Sequence, residues 1–180
     1  MTVLQRIAHR IFPRTAITPG RLVPLAIQVC CLSAVAVALV SQHVFDMQPC
    51  PWCVLQRVIF LAIAIVCGLV LIVRGRIFQL FSYGLAFLLS VSGMATALWQ
   101  HFKASNTLSC SFSLAERMIS SLALDRLMPA VLAPRTSCAD GAVDLLGIPY
   151  EFWSLALFGI IACVLGAMGA ILCRSINHRS

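Results

Sequence analysis

Four of the nine cysteines in this chain have the spacing and position to carry thiol chemistry. Cys50 and Cys53 belong to the motif Cys-Pro-Trp-Cys, and Cys110 and Cys138 lie in the longest polar segment. A CxxC pair in a soluble βαβ protein indicates a thioredoxin-like redox site. This chain is 61% hydrophobic and 11% charged, so its thiols lie beside lipid. The combination indicates that electrons pass between a soluble dithiol and a lipid-soluble carrier.

The composition places these cysteines in a membrane protein. A transmembrane helix needs about 20 mainly apolar residues. The charged residues bound three runs of that length, and a fourth, between Arg57 and Arg74, reaches it if residues 54–56 start its helix. We therefore predict an all-α membrane protein, a four-transmembrane-helix bundle that forms one domain over residues 1–180. Small residues at one-turn spacing, such as Gly93 and Ala97, favour close helix packing. The predicted spans are 22–44, 54–73, 77–99 and 152–173, with outer loops at 45–53 and 100–151.

The charge pattern orients these spans, within a net charge of +7. Arginines without acidic neighbours fall on one side of the four-span arrangement: Arg6, Arg10, Arg14, Arg21, Arg74, Arg76, Arg174 and Arg179. The acidic residues fall on the other side: Asp46, Glu116, Asp125, Asp140, Asp144 and Glu151. The positive-inside rule then places both termini in the cytoplasm and both cysteine pairs outside. The basic charge reflects this orientation and does not indicate a nucleic-acid partner.

The outer loop 100–151 is predicted to contain a short amphipathic helix. Ser113 and Glu116 fit a capping box at its start, and apolar residues then recur at helical spacing until Pro129 ends the pattern. We predict this helix over residues 114–127. It either lies on the outer leaflet of the membrane or packs on its own loop.

The other five cysteines lie within apolar runs or at their inner ends, where a buried thiol is inert. We interpret them as small apolar fillers: Cys30, Cys31, Cys67, Cys163 and Cys173. Disulfides persist on the oxidising outer side. There, Cys110 and Cys138 are either redox-active or a structural staple on the loop. Cys50 and Cys53 are redox-active, a strained local disulfide or part of a metal site.

Features around the CxxC motif favour redox chemistry. Pro51 suits the first turn of a helix, so Cys53 is predicted near a helix N-terminus, where the dipole favours a thiolate. Arg57 follows one turn later on the same face. A cation at the lipid edge is costly unless it has a partner, such as a thiolate or the oxygen of a bound acceptor. Because the chain has neither a dinucleotide-binding GxGxxG motif nor a CxxCH haem motif, a quinone dissolved in the bilayer remains as the acceptor.

A wider set of residues carries a family resemblance: Gln42-His43, Pro49-Cys50-Pro51-Trp52-Cys53, Arg57, His101, Cys110, Cys138 and Leu145-Leu146-Gly147. Together they resemble the disulfide bond formation protein B (DsbB) family over all four spans. Members of that family are quinone-dependent thiol oxidases of the bacterial inner membrane. They reoxidise DsbA, a periplasmic thioredoxin-like disulfide donor that serves protein folding.

The resemblance implies a role for each of the four outer cysteines. It implies the disulfides Cys50–Cys53 and Cys110–Cys138. The reduced donor is then expected to attack Cys110, and the released Cys138 attacks Cys50. Cys53 becomes a thiolate that faces the quinone, either ubiquinone or menaquinone, and passes on the electron pair.

The same resemblance implies that Arg57 supports the quinone site and that His101 lies near the quinone head group, although His101 is equally well an ordinary interfacial histidine. One rival is a vitamin K epoxide reductase-like quinone reductase, whose CxxC normally comes late in the chain. A second rival is a metal-handling protein with Cys50, Cys53, His43 and His101 as soft ligands. A third is a scaffold whose outer loop is merely stapled.

Overall fold

The structure is a computed structural model that describes residues 19–73, 75–104, 117, 121, 129–132, 144–145 and 148–177. In chain order its elements are α1 (Pro19–Val44), α2 (Pro51–Ile72), α3 (Arg76–Trp99), a π-helical turn (Gln100–Ala104), α4 (Pro129–Leu132), β1 (Asp144–Leu145), β2 (Ile148–Pro149) and α5 (Tyr150–Asn177). The two short strands pair antiparallel. In the residues that the structure describes, the architecture is therefore all-helical apart from one two-residue ladder.

Within the described residues, α1, α2, α3 and α5 are each long and apolar enough to cross a membrane. Their apolar segments run for 24, 22, 27 and 27 residues respectively, and a span needs about 20. Side-chain and backbone contacts bring the end of α1, the start of α2, the end of α3 and the start of α5 together. The chain is thus a multi-pass membrane protein, and the predicted four-helix bundle is confirmed.

Several helix bounds differ from the predicted spans, and the start of α2 and the end of α5 show the physical reason. α2 begins at Pro51 and not at 54, because the CxxC motif itself supplies the helix start. α5 continues past 173 to Asn177, beyond the end of its apolar run. An apolar run defines the part of a helix that meets lipid, whereas capping and backbone hydrogen bonds decide where the helix ends.

α2 is the central helix of the bundle. Half of its most apolar stretch (50%) is buried inside the protein, against 22–28% for the other three long helices. α2 packs on both α1 and α3, and α3 packs on α5. Among the described residues, α1 does not pack extensively on α5. The bundle is therefore open between its first and last helices.

A glycine lets α3 and α5 approach closely beside this opening. A Cβ atom at Gly93 would lie 2.6 Å from the ring of Phe158, far inside van der Waals contact. The Phe158 ring, fully buried, stacks on Phe60 of α2 with centroids 4.0 Å apart and planes 6° apart. The small residue predicted at this position thus allows an aromatic pair to fill the bundle interior.

The segment between α3 and α5 packs on the start of α2 through α4. Leu132 and Val54 are both buried and contact each other, with Val58 and Val131 beside them. Of the predicted amphipathic helix 114–127, Arg117 and Ser121 are helical and exposed. The rest of that helix and its capping box lie outside the described residues.

Candidate functional site

The CxxC motif forms the first turn of α2. Cys50 is the N-cap, with an extended backbone (φ −78°, ψ 164°), and Pro51 is the first helical residue. The Cys50 Sγ accepts a hydrogen bond of 3.4 Å from the backbone N–H of Cys53, as a serine or aspartate oxygen does at other N-caps. Cys53 therefore lies where the unpaired N–H groups of the helix favour negative charge, as predicted.

The two sulfur atoms of the motif are in direct contact. The Cys50 thiol donates a hydrogen bond to the Cys53 Sγ at 3.1 Å. Both residues are free thiols in this structure, so the predicted Cys50–Cys53 disulfide stays a prediction. Cys110 and Cys138 lie outside the described residues, and their pairing stays a prediction as well.

A third side chain, which sequence reasoning did not single out, contacts the Cys53 sulfur. Gln100, at the start of the π-helical turn, donates from Nε2 to the Cys53 Sγ at 3.3 Å. Gln56 in turn donates from Nε2 to the Gln100 Oε1 at 3.0 Å. Gln56 and Gln100 are 4% and 7% exposed, so this network is buried. The available signal was Gln56 itself, because a polar residue inside an apolar run indicates a functional site.

Arg57 is held by acceptors on two other elements. Its Nη1 donates to the Gln42 Oε1 at 2.7 Å and to the backbone carbonyl of Val131 at 3.2 Å, and its Nη2 donates to the carbonyl of Ala38 at 3.2 Å. Only 7% of Arg57 is exposed. The guanidinium thus joins α2 to α1 and to α4. The sequence had indicated only that Arg57 lies one helical turn from Cys53.

A cavity of about 340 Å³ lies between α1, α2 and α5, on the open side of the bundle. Its wall on α2 includes Cys53, Gln56 and Arg57, followed by Phe60. The remaining wall is mostly apolar and comes from α1 and from the start of α5, where Ser154 adds a hydroxyl group. A cavity with apolar walls and a few polar groups at one end is typical of small-molecule sites.

His43 and His101 are not among the residues that line this cavity. His101 Nδ1 is 3.0 Å from the Glu151 Oε1, and the ring meets Phe152 edge-on with centroids 4.7 Å apart. It therefore joins the π-helical turn to the first turn of α5, and its predicted role near a quinone stays a prediction. His43 is exposed, with Nδ1 2.9 Å from the carbonyl of Leu39. In the described part of the chain no three potential metal ligands come together.

The remaining cysteines divide into two groups. Cys31 and Cys67 are buried in the apolar core of the bundle, and Cys163 and Cys173 are exposed on α5. Cys30 is also exposed and lines the cavity between α1, α2 and α5. Only Cys53 lines that cavity together with a hydrogen-bonded thiol partner, which separates it from Cys30.

The fold and the site define a class, a multi-pass membrane protein with a dithiol at the start of a span. Comparison with known proteins specifies it further. The model of the family described as Disulfide bond formation protein DsbB matches residues 20–168. The chain therefore belongs to the DsbB family, which implies disulfide oxidoreductase activity.

Individual relatives agree with the family match. A protein of Herminiimonas arsenicoxydans named Disulfide bond formation protein B is 35% identical over 147 residues, which cover 81% of this chain and 92% of the relative. Proteins of the same name from Chromohalobacter salexigens and Verminephrobacter eiseniae are 34% and 30% identical over 151 and 166 residues. These alignments cover 80% and 91% of this chain, and 87% and 93% of the relatives.

Proposed function

We propose that this protein is a thiol oxidase of the bacterial inner membrane that reoxidises a periplasmic DsbA-type donor and reduces membrane quinone. In the net reaction the donor dithiol becomes a disulfide, and its two electrons and two protons convert quinone to quinol. The observation that carries the proposal is that Cys53, whose sulfur contacts the Cys50 thiol, lines the cavity between α1, α2 and α5. A dithiol beside a cavity at the lipid side of a bundle can meet an acceptor that arrives through the bilayer.

The residues of the cavity fit a quinone. A quinone ring is flat and apolar, and its two carbonyl oxygens accept hydrogen bonds. Phe60 and the apolar walls suit the ring, while Gln56 and Arg57 are lining residues whose side chains carry N–H donors. Arg57 and Gln56 would hold the head group, and the bound quinone supplies a two-electron acceptor. Ubiquinone and menaquinone both have this ring chemistry.

The outer cysteines complete the proposed route. A donor thiolate attacks Cys110 of the Cys110–Cys138 disulfide, and the released Cys138 thiolate attacks Cys50. After the donor disulfide has left and Cys110–Cys138 has re-formed, Cys50 and Cys53 remain as a dithiol. Two S–H bonds then break, one S–S bond forms between Cys50 and Cys53, and two electrons and two protons pass to the quinone.

Energetics and orientation support this direction of flow. DsbA has an established potential of about −120 mV, so only a still more oxidising acceptor removes its electrons. Arg21, Arg76 and Arg174 lie at the helix ends opposite the CxxC motif. By the positive-inside rule those ends, and both termini, are cytoplasmic, which places the dithiol at the periplasmic face.

The test uses the purified full-length protein in detergent with a reduced DsbA-type donor and a soluble ubiquinone or menaquinone analogue. We expect quinol to form in a one-to-one ratio with donor disulfide, and Cys53→Ser to abolish quinol formation. Cys67→Ser is the matched control, since Cys67 is on the same helix and buried in the core. Donor oxidation without quinol formation, or equal activity in both variants, would overturn the proposal.

A further inference from the structure

The end of α3 departs from regular helix at the point where it reaches the dithiol. Residues Gln100–Ala104 form a π-helical turn directly after α3. Such turns are rare and occur frequently at functional sites. Here the first residue of the turn, Gln100, is directed to the sulfur of Cys53 on α2.

The orientation of the Gln100 amide is set by its neighbour on α2. An amide has one end that accepts and one that donates hydrogen bonds. Gln56 donates to the Gln100 Oε1 at 3.0 Å, which leaves the Gln100 Nε2 to face the Cys53 Sγ at 3.3 Å. Both glutamines are more than nine-tenths buried, so the arrangement is shielded from competing water. The Cys53 sulfur is thus an acceptor of a hydrogen bond whose direction is fixed.

We propose that Gln100 is a catalytic residue that stabilises the Cys53 thiolate, and that Gln56 is the positioning residue that turns the Gln100 donor toward the sulfur. This inference rests on the proposed function, in which Cys53 delivers electrons to quinone. A neutral amide is suited to the task because it donates a hydrogen bond to the anion without adding a second negative charge.

The contribution of Gln100 is largest at one stage of the proposed route. In the dithiol state Cys53 also accepts a hydrogen bond from the Cys50 thiol at 3.1 Å. When Cys50 is joined to Cys138, its sulfur has no hydrogen to donate, and Cys53 is the released thiolate. Of the two side-chain donors to this sulfur that the structure describes, only Gln100 then remains.

The test measures the reactivity of Cys53 directly. In a Cys50→Ala background, which mimics loss of the Cys50 donor, the alkylation rate of Cys53 is followed against pH by mass spectrometry of its peptide. We expect Gln100→Leu to lower the rate at neutral pH about tenfold, the effect of one hydrogen bond to a charged group. The midpoint of the pH profile should move upward, which a purely structural role would not cause. Gln79→Leu, the same change near the start of α3, is the control and should leave the rate unchanged.

A double-mutant cycle separates the roles of the two glutamines. Gln56→Leu alone should lower the rate by a smaller factor, about threefold, because Gln100 keeps its donor but loses its orientation. The Gln56→Leu/Gln100→Leu protein should react like Gln100→Leu. Additive effects in the double variant would overturn the positioning role of Gln56.

A second variant serves if Gln100→Leu reduces the folded fraction. Gln100→Glu then replaces Gln100→Leu. The glutamate side chain has the same shape as glutamine, accepts a hydrogen bond from Gln56 and, when ionised, has no hydrogen to donate to the sulfur. A Cys53 rate unchanged within about twofold in the folded variant overturns the role of Gln100. Since alkylation needs no quinone, a failure of quinol formation in the unmodified protein would instead count against the proposed function alone.

Discussion

Arg57 links the cavity between α1, α2 and α5 to residues 129–132, which pack on the start of α2, and its replacement should affect both. Arg57→Met removes the charged donor to Ala38, Gln42 and Val131. A hydrogen bond from a charged group contributes about 1.5–3 kcal/mol. Loss of the bond to the Val131 carbonyl should therefore favour undocking of residues 129–132 by roughly ten- to a hundred-fold. The variant no longer has the free-energy cost of burying the arginine charge, which offsets part of the loss in global stability. It does not offset the local undocking of residues 129–132.

The assay combines hydrogen–deuterium exchange over residues 129–132 with steady-state quinone kinetics. We expect Arg57→Met to exchange faster in that segment and to raise the quinone KM, because the guanidinium lines the cavity. Arg57→Lys should give exchange rates and a quinone KM between those of Arg57→Met and the unmodified protein. A lysine keeps the charge but loses the planar fork that reaches two elements at once.

Two variants control for the loss of an arginine and of one acceptor. Arg76→Met makes the same substitution at the exposed start of α3 and should change neither measurement. Gln42→Leu removes one acceptor while leaving the Val131 bond in place, so it should affect quinone kinetics more than exchange in 129–132. An Arg57→Met protein with unchanged exchange and unchanged quinone KM would refute both parts of the reasoning.

Three further predictions test the bundle and its cavity. Gly93→Ala should lower thermal stability by about 1–3 kcal/mol through overpacking, whereas Gly84→Ala, with open space around it, should not; equal Tm values would contradict the packing. Leu157→Trp should narrow the cavity and raise the quinone KM at unchanged donor KM, and a donor effect would argue against the cavity as the quinone site. His101→Leu should raise the quinone KM if His101 meets the head group, while Glu151→Gln, which keeps an acceptor for the ring, should leave it near normal; matching increases would show that the pair only positions α5.

The number of spans and the position of Cys53 near a helix N-terminus could be predicted, because both depend on local sequence. Uncharged runs of sufficient length are enough to indicate membrane crossing. Pro51 and the helix dipole were enough to place Cys53 in a first turn. The one refinement, that Cys50 itself caps the helix through its sulfur, requires the backbone geometry at φ −78° and ψ 164°.

The surroundings of Cys53 could not be predicted, because they depend on contacts between distant parts of the chain. Gln100 is 47 residues from Cys53 and reaches the sulfur from the junction of α3 with the π-helical turn. The acceptors of Arg57 are 15, 19 and 74 residues away, whereas sequence spacing indicates only neighbours one turn apart on the same helix. The cavity likewise depends on α1 and α5 remaining apart, which no local pattern encodes.

The two cysteines of the motif have different surroundings, and the difference suits a relay. Cys50 is 1% exposed and packs with Trp52, whereas Cys53 is half-buried and lines the cavity. The N-cap position places Cys50 at the loop side of α2, and the first turn carries Cys53 to the cavity side. In the proposed route a thiolate from the loop reaches Cys50 from the loop side of α2, and Cys53 meets its acceptor from the cavity side. We propose that this difference in surroundings lets a single dithiol serve a soluble donor and a lipid-soluble acceptor.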